Sequence, residues 1–282
     1  MGYRTIEELL RISKGNGAVG AFNIHNLEFI KGVVKAAEEE NKPAIMMINE
    51  AVLMYGGIEV LGGAAMAAAK NAKVDMGVMV DHGTNTEFLK KCIDFGLDVM
   101  YDGSALSFEE NIRNTKEMVD YAHSRGRAIE GEIGALGLSE DGDEEREQRI
   151  TSVKEAVIFS ERTGVDVLAV SVGNVHGFYK GSPHINVERI KEISEAVSQL
   201  PVVMHGGSDI PYETIKASIE AGIRKFNIAT DLKQAYSEKM RALMLQEPLP
   251  IQPLKIFPVV ADAVTEVARK KMKMFHLEGE QV

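Results

Sequence analysis

Short apolar runs recur along the chain, with amphipathic stretches between them. Strand-like segments lie at residues 20–23, 44–49, 76–81, 98–102, 128–132, 167–172, 202–205 and 225–228, which makes eight. Between them Leu27, Ile30, Val33, Val34 and Ala37 step by three or four, as do Val187, Ile190, Ile193 and Val197, the spacing of one helix face. Each unit is roughly 25 to 35 residues, enough for a strand, a helix and two turns. Nearly continuous apolar strands alternating with helices predict a parallel sheet covered on its outer face. Eight such units in about 250 residues suit a closed (β/α)8 TIM barrel, an α/β fold, better than a doubly wound sheet. No linker or shift of composition divides the chain, so residues 1–282 read as a single domain. Helical patterns at 231–246 and 258–275 flank a proline-broken connector at 248–253, which predicts a C-terminal helical extension over about 246–282. Residues 139–149 crowd Glu, Asp and Gly after the fifth strand and read as a mobile loop.

Composition narrows the function. Of 282 residues, 45% are hydrophobic and 26% charged, the mixture of a chain that buries a sizeable core. Lys plus Arg total 32 against 42 Asp plus Glu, a net charge of −10. An acidic surface repels phosphate backbones and anionic headgroups, so neither nucleic acid nor membrane is an expected partner. The apolar runs are short and interrupted, below the ~20 residues that cross a bilayer. A single cysteine, Cys92, makes no intramolecular disulfide, and residues 1–8 lack the apolar core of a secretion signal. A cytoplasmic protein is the expectation. The 26 glycines, many beside His, Asp or Ser, imply backbone brought close to something.

In such barrels chemistry is built at the C-terminal strand ends, and here those ends are polar. They carry Asn23, Asn49 with Glu50, Asp81-His82, Asp102, Glu130 with Glu132, the run through Val172-Gly-Asn-Val to His176, His205, and Asn227. Three of seven histidines, His82, His176 and His205, thus fall at equivalent places on three units. Three imidazoles with an open fourth position form a site for a catalytic divalent metal, most often zinc. His25 opens a helix, His123 lies within one, His184 sits in a loop and His276 near the C-terminus, so these default to structural or solvent roles. Gly177 follows His176, and Gly206-Gly207-Ser208 follow His205 just before a helix started by Asp209, Ile210 and Pro211. Glycine lets backbone N–H groups approach a ligand, and a helix N-terminus favours an anion. The loop Asn227-Ile-Ala-Thr-Asp231 has similar chemistry, and phosphate binding after strands seven and eight recurs in barrels.

The segments Ala21-Phe-Asn-Ile-His-Asn26, Val80-Asp-His-Gly83, Glu130-Gly-Glu-Ile-Gly134, Gly173-Asn-Val-His-Gly177 with Tyr179-Lys-Gly181, Met204-His-Gly-Gly-Ser208 and Asn227-Ile-Ala-Thr-Asp231 occur in order between about residues 3 and 245. In this the chain resembles the class II, metal-dependent fructose-bisphosphate and tagatose-bisphosphate aldolases. The resemblance implies one divalent metal per chain, Zn2+, on His82, His176 and His205, with Glu132 a carboxylate near the metal. It makes Asp81 the residue that exchanges a proton with the C4 hydroxyl, and Glu140, on the mobile loop, a proton-transfer residue at the dihydroxyacetone phosphate carbon. Gly177, Lys180, Gly206, Gly207, Ser208, Ala229 and Thr230 fall around the C1 phosphate, and Asn227 contacts the enediolate. Some relatives also bind a monovalent cation, Na+ or K+, near these loops, and a homodimer or homotetramer is usual. Glu130 reads as an inward structural carboxylate.

The chain departs from the family pattern where the distal half of the sugar would lie. Asn49 stands where a substrate-contacting serine is usual, Asp102-Gly-Ser-Ala-Leu-Ser-Phe108 lacks the common histidine and proline, and Ile251-Gln-Pro-Leu254 replaces an Asp-Pro-Arg segment. Lys233 and Arg241 are substitutes for the missing arginine. The expected reaction is reversible cleavage of a ketose 1-phosphate, a 1,6-bisphosphate foremost, to dihydroxyacetone phosphate and an aldehyde. The competing readings are a related aldolase for a substrate with another distal group such as a sulfonate, a metal-dependent hydrolase on the same barrel, and a non-catalytic partner subunit.

Overall fold

The structure, a computed structural model, describes residues 2–13, 15, 17–134, 137–139, 149–179, 181 and 183–279, with only the backbone of 137–139. Strands β1 (Val19–Asn23), β2 (Ala44–Asn49), β3 (Met76–Gly83), β4 (Asp98–Tyr101), β5 (Ile129–Ile133), β7 (Val167–Val170), β9 (Val202–Met204) and β10 (Ile223–Ile228) close into a barrel. Its strand order is β1-β10-β9-β7-β5-β4-β3-β2, parallel throughout. A separate parallel pair, β6 (Gly137–Ser139) and β8 (Val175–Gly177), follows β5 and β7 and carries His176. The eight expected strands are all present, with no end moved by more than two residues.

Side chains alternate across each strand, and two buried clusters record it. Val19, Ala21, Ile45, Met47, Met79, Met100, Ala128, Val167, Ala169 and Val203 face inward and pack with Ile6, Leu9 and Leu10 of helix α1 (Ile6–Ile12). Their outward neighbours, among them Phe22, Met46, Val78, Val99, Leu168, Phe226 and Ile228, pack under the helices. Helix α1, started by a Thr5–Glu8 capping box, therefore plugs the N-terminal end with apolar side chains. Continued by two, the inward series reaches Asn23, Asn49, Asp81, Glu130, Glu132, His205, Lys225 and Asn227. The barrel is apolar at its floor and polar at its mouth.

The outer helices are α2 (Leu27–Glu40), α3 (Glu50–Gly56), α4 (Gly63–Asn71), α5 (Thr86–Phe95), α6 (Phe108–His123), α7 (Val153–Thr163), α8 (Val187–Ala196), α9 (Tyr212–Ala221), α10 (Thr230–Met244) and α11 (Pro253–Phe275). A π-helical turn, Gly57–Gly62, joins α3 to α4. The resulting helical stretch Glu50–Asn71, 22 residues, is long and apolar enough by length and composition to cross a membrane. Sequence reading saw only short apolar runs here. In the barrel this stretch packs on β2 and β3 and sends Leu53, Leu61, Ala65 and Ala69 into the core.

The C-terminal helix differs from expectation. It begins at Pro253 and carries Pro258 inside it, where a start at 258 was predicted. Proline at a first position costs nothing, and the interior proline sacrifices one backbone bond. The buried stripe Ile256, Val260, Val264, Ala268, Met272 and Phe275 offsets that loss. Helix α11 packs against α2, β1, α9 and α10, which puts it in the helical ring itself. Close approach to α2 depends on Gly32, where a Cβ would meet the Val264 Cβ at 2.8 Å and the Ala261 carbonyl at 2.9 Å.

One carboxylate at the floor makes a testable contribution to stability. Asp98 is fully buried and accepts N–H bonds from Ile6 at 2.7 Å and Ala128 at 3.0 Å. Burial raises its pKa to about 7, against the pull of those N–H groups and Arg127. A carboxyl whose folded pKa lies above its unfolded value holds its proton more tightly when folded, so its contribution is largest at acid pH. That contribution declines as pH rises from about 4 through 7. Denaturant unfolding of wild type and Asp98→Asn at pH 4.5 and 8 tests this. The difference between the two should move in favour of the variant at pH 8; a difference independent of pH would refute it.

Candidate metal centre and anion loops

His82 is the first residue that simple strand alternation misplaces. Asp81 points inward, so its successor should point out. The β3 ladder shifts register between Val80 and Gly83, and His82 adopts a left-handed φ of +49°. Such a shift re-aims a side chain, and here it turns the imidazole back over the mouth. His205 follows the last residue of β9 and points inward, and His176 comes from β8. The three rings sit 4.9 Å (82–176), 4.7 Å (82–205) and 6.1 Å (176–205) apart between centroids. One ligand nitrogen of each lies within 4.8 Å of the others.

Carboxylates orient two of these rings. Asp102 Oδ2 lies 2.9 Å from His82 Nδ1, and Glu130 Oε1 lies 2.8 Å from His205 Nε2. The remaining nitrogens, His82 Nε2 and His205 Nδ1, face each other at 3.0 Å. Two nitrogens each about 2.1 Å from one tetrahedral zinc are about 3.4 Å apart, so an opening of a few tenths of an ångström admits an ion. Histidine ligands that donate their other N–H to a carboxylate are the usual support of such a centre. Glu132 completes the wall, with Oε2 3.7 Å from His82 Nδ1 and 3.6 Å from His205 Nδ1. The donor set fits a divalent ion.

Electrostatics within the cluster are strongly coupled. Burial opposes the ionisation of Asp81, yet His82, His205, the Asn23 amide and Lys225 hold its carboxyl below the usual range. Burial disfavours a charged His82 as well, but the Asp81 charge and the Asp102 bond push it up to about 10. His176, buried and beside His82 and His205, is depressed to about 3. Asp81 accepts from Asn23 Nδ2 at 2.8 Å and from Asn227 Nδ2 at 3.2 Å. It is thereby fixed as an anion beside the three rings.

A cavity of about 480 Å³ opens over this cluster. Asp81, His82, Glu132, His176, Gly177, Gly206, Ser208, Asn227, Ala229, Thr230 and Asn49 all line it. Gly206 is required for the loop to lie where it does: its φ is +62°, and a Cβ would meet the Val175 carbonyl at 1.9 Å. The expected phosphate contact Gly207 does not line the cavity. Its N–H is donated to the Asn227 carbonyl at 2.9 Å, so it ties the two loops together. Ser208 Oγ accepts from the Asp231 N–H at 3.3 Å, at the start of α10. The helix after the glycine loop begins later than expected, at Tyr212, with Asp209 in a left-handed turn at φ +57°. Glu140 and Lys180 lie outside the described residues.

Some lining residues were not expected. Asp102 was read only as a polar strand end, and His25, assigned a structural role, lines the cavity beside Val52 and Thr84; Lys233, named above as a substitute for the missing arginine, lines it too. His123 pairs with Asp166 at 2.9 Å and His276 Nδ1 lies 2.9 Å from the Met272 carbonyl, both away from the site. Lys225 escaped notice altogether. It is fully buried with its Nζ 2.8 Å from Glu130 Oε2. The available signal was parity: it stands two residues before Asn227, as Glu130 stands two before Glu132, so both occupy inward positions one layer below the mouth.

Comparison with known proteins bears on this site. The class-II fructose-bisphosphate aldolase family model matches residues 4–280. The chain is 37% identical over 264 residues to the sulfofructosephosphate aldolase of Alkalicoccus urumqiensis, covering 93% of this chain and 92% of that one. It is 35% identical over 284 residues to the fructose-bisphosphate aldolase of Geobacillus stearothermophilus, covering 99% of each. The crystal structure of the YdjI aldolase from Escherichia coli K12 superposes with a TM-score of 0.86 at 34% identity, covering 97% of both chains.

Proposed function

Because the chain belongs to the class II fructose-bisphosphate aldolase family, and is thus an aldehyde-lyase, we propose that it cleaves a ketose 1-phosphate reversibly to dihydroxyacetone phosphate and an aldehyde. The observation that carries this reading is that Asp81, His82, His176, Gly177, Gly206, Ser208, Ala229 and Thr230 line one cavity, with His205 completing the three-imidazole cluster at its base. We assign zinc to His82, His176 and His205, with Glu132 beside it and a monovalent cation, Na+ or K+, near the glycine loops. Bound there, the divalent ion supplies Lewis-acid stabilisation of the negative charge that develops on the three-carbon half.

The chain's own groups do the rest. Asp81 takes the proton of the C4 hydroxyl, that oxygen becomes the aldehyde carbonyl, and the C3–C4 electron pair passes to C3, conjugated with the C2 carbonyl. A proton is then returned to C3, the role we give Glu140. Backbone N–H groups at the N-terminus of α10, the Ser208 hydroxyl and Lys180 hold the phosphate, the local positive potential that a chain of net charge −10 needs for an anionic substrate. Asn227 Oδ1 is buried without a hydrogen-bond partner among the described residues, which supports our assigning it to accept from a substrate hydroxyl. No lysine Schiff base is needed.

The distal half is less constrained. Names at similar identity specify a bisphosphate in one relative and a sulfo-substituted sugar phosphate in another, and we assign Asn49 and Val52, which line the cavity, to the side where such groups would differ. A 1,6-bisphosphate such as fructose or tagatose bisphosphate remains our first assignment, and a sulfonate substrate the second. We place the enzyme in cytoplasmic carbohydrate metabolism, as a homodimer or homotetramer. Exposed Leu245, Leu249 and Ile251 between α10 and α11, and Leu254 in the first turn of α11, support the oligomer, which sedimentation would reveal. The direct test offers the zinc-loaded protein fructose and tagatose bisphosphates, sulfofructose phosphate and fructose 1-phosphate. Release of dihydroxyacetone phosphate from at least one is expected, and release from none would overturn the reading.

A further inference from the structure

Glu130 and Lys225 form an ion pair in the barrel interior, both fully buried, and neither lines the cavity. They cannot touch substrate. Removing two charges from water is costly, and an apolar pair of similar size is often as stable or more so, so fold stability alone gives little reason for the pair. What distinguishes it is its neighbour. One Glu130 oxygen takes Lys225 Nζ at 2.8 Å while the other lies 2.8 Å from His205 Nε2. Lys225 thus holds the carboxylate in one orientation, with an oxygen left for the imidazole.

The consequence is specific to a ring nitrogen. An imidazole that donates Nε2–H to Glu130 presents the lone pair of Nδ1, and His205 Nδ1 is the atom facing His82 Nε2 at 3.0 Å. His82 is held the opposite way, with Asp102 at Nδ1 and Nε2 presented. Asp102 has its own local donors, the Ser104 N–H at 3.0 Å and hydroxyl at 2.6 Å. Glu130, buried one layer below the mouth, has Lys225 instead. We propose that Lys225 and Glu130 are positioning residues which fix His205 as an Nδ1 ligand, so that the three imidazoles present one Nδ1 together with the Nε2 of His82. This rests on the metal reading above.

Two measurements test it. In wild-type protein carrying cadmium-113 and nitrogen-15 histidine, His205 should couple to the metal through Nδ1 and keep a proton on Nε2. Coupling through Nε2 would overturn the inference while leaving the metal site intact; failure to bind any divalent ion would remove the metal reading and this inference with it. The second measurement uses Glu130→Met/Lys225→Met, which replaces the pair by apolar groups of similar volume. The metal-free variant should melt no lower than wild type, yet bind zinc about 10- to 100-fold more weakly by chelator competition, the usual cost of losing such support. Its His205 signals should show both nitrogens ligating. Zinc affinity and Nδ1 coupling unchanged in the variant would reduce the pair to a structural filler. Should the variant not fold, the wild-type spectrum decides alone.

Discussion

His205→Ala is expected to strip the protein of its tightly bound divalent ion and to lower aldolase activity to background, whereas His184→Ala does neither. The imidazole of His205 is one of three converging donors and lies 3.0 Å from the second. Catalytic zinc sites hold their ion with three protein ligands, so two imidazoles leave it exposed to competing chelators. The substitution also removes the group that bridges Glu130 to the centre. His184, in the loop before α8, has no place in the cluster. Metal content per chain after dialysis, measured alongside turnover, separates the two. Equal losses from both variants would mean that the wrong histidines have been chosen.

Asp81→Asn should do the reverse, sparing the metal and removing the base. The amide keeps the size of the carboxylate, and its single oxygen still accepts from one of Asn23 and Asn227, which now donate to separate oxygens of Asp81 at 2.8 and 3.2 Å. It cannot accept the C4 proton. General-base groups contribute about 10²- to 10⁴-fold, so kcat for cleavage should fall by that amount while zinc affinity stays close to wild type. Exchange of the C3 proton of dihydroxyacetone phosphate with solvent, assigned to Glu140 and not to Asp81, should persist in this variant. Loss of exchange in step with cleavage would place both proton transfers on Asp81.

Much of this arrangement is legible along the chain because barrel strands repeat a simple rule. Apolar residues alternate inward and outward, and the same parity that buries Ala21, Met79 and Val203 carries Asn23, Asp81 and His205 to the mouth. Glycine beside a strand-end histidine marks close backbone approach, which Gly206 requires against Val175. Other features depend on partners from distant strands. Lys225 looks like an ordinary strand lysine until β10 and β5 are both wrapped inward and Glu130 stands opposite. Gly207 looks like a phosphate contact until its N–H is seen to be committed to Asn227.

The sequence by itself therefore determined the eight-fold alternation, the inward-facing chemistry, the three histidines and the family. These follow from local periodicity and from residue types confined to a few consecutive positions. Only the tertiary structure decided that His82 turns back over the mouth, that α11 takes a place in the helical ring, and that a carboxylate faces Nδ1 of His82 but Nε2 of His205. Each of those depends on contacts between residues tens to hundreds of positions apart. Local spacing cannot encode such contacts, because they exist only once the barrel has closed.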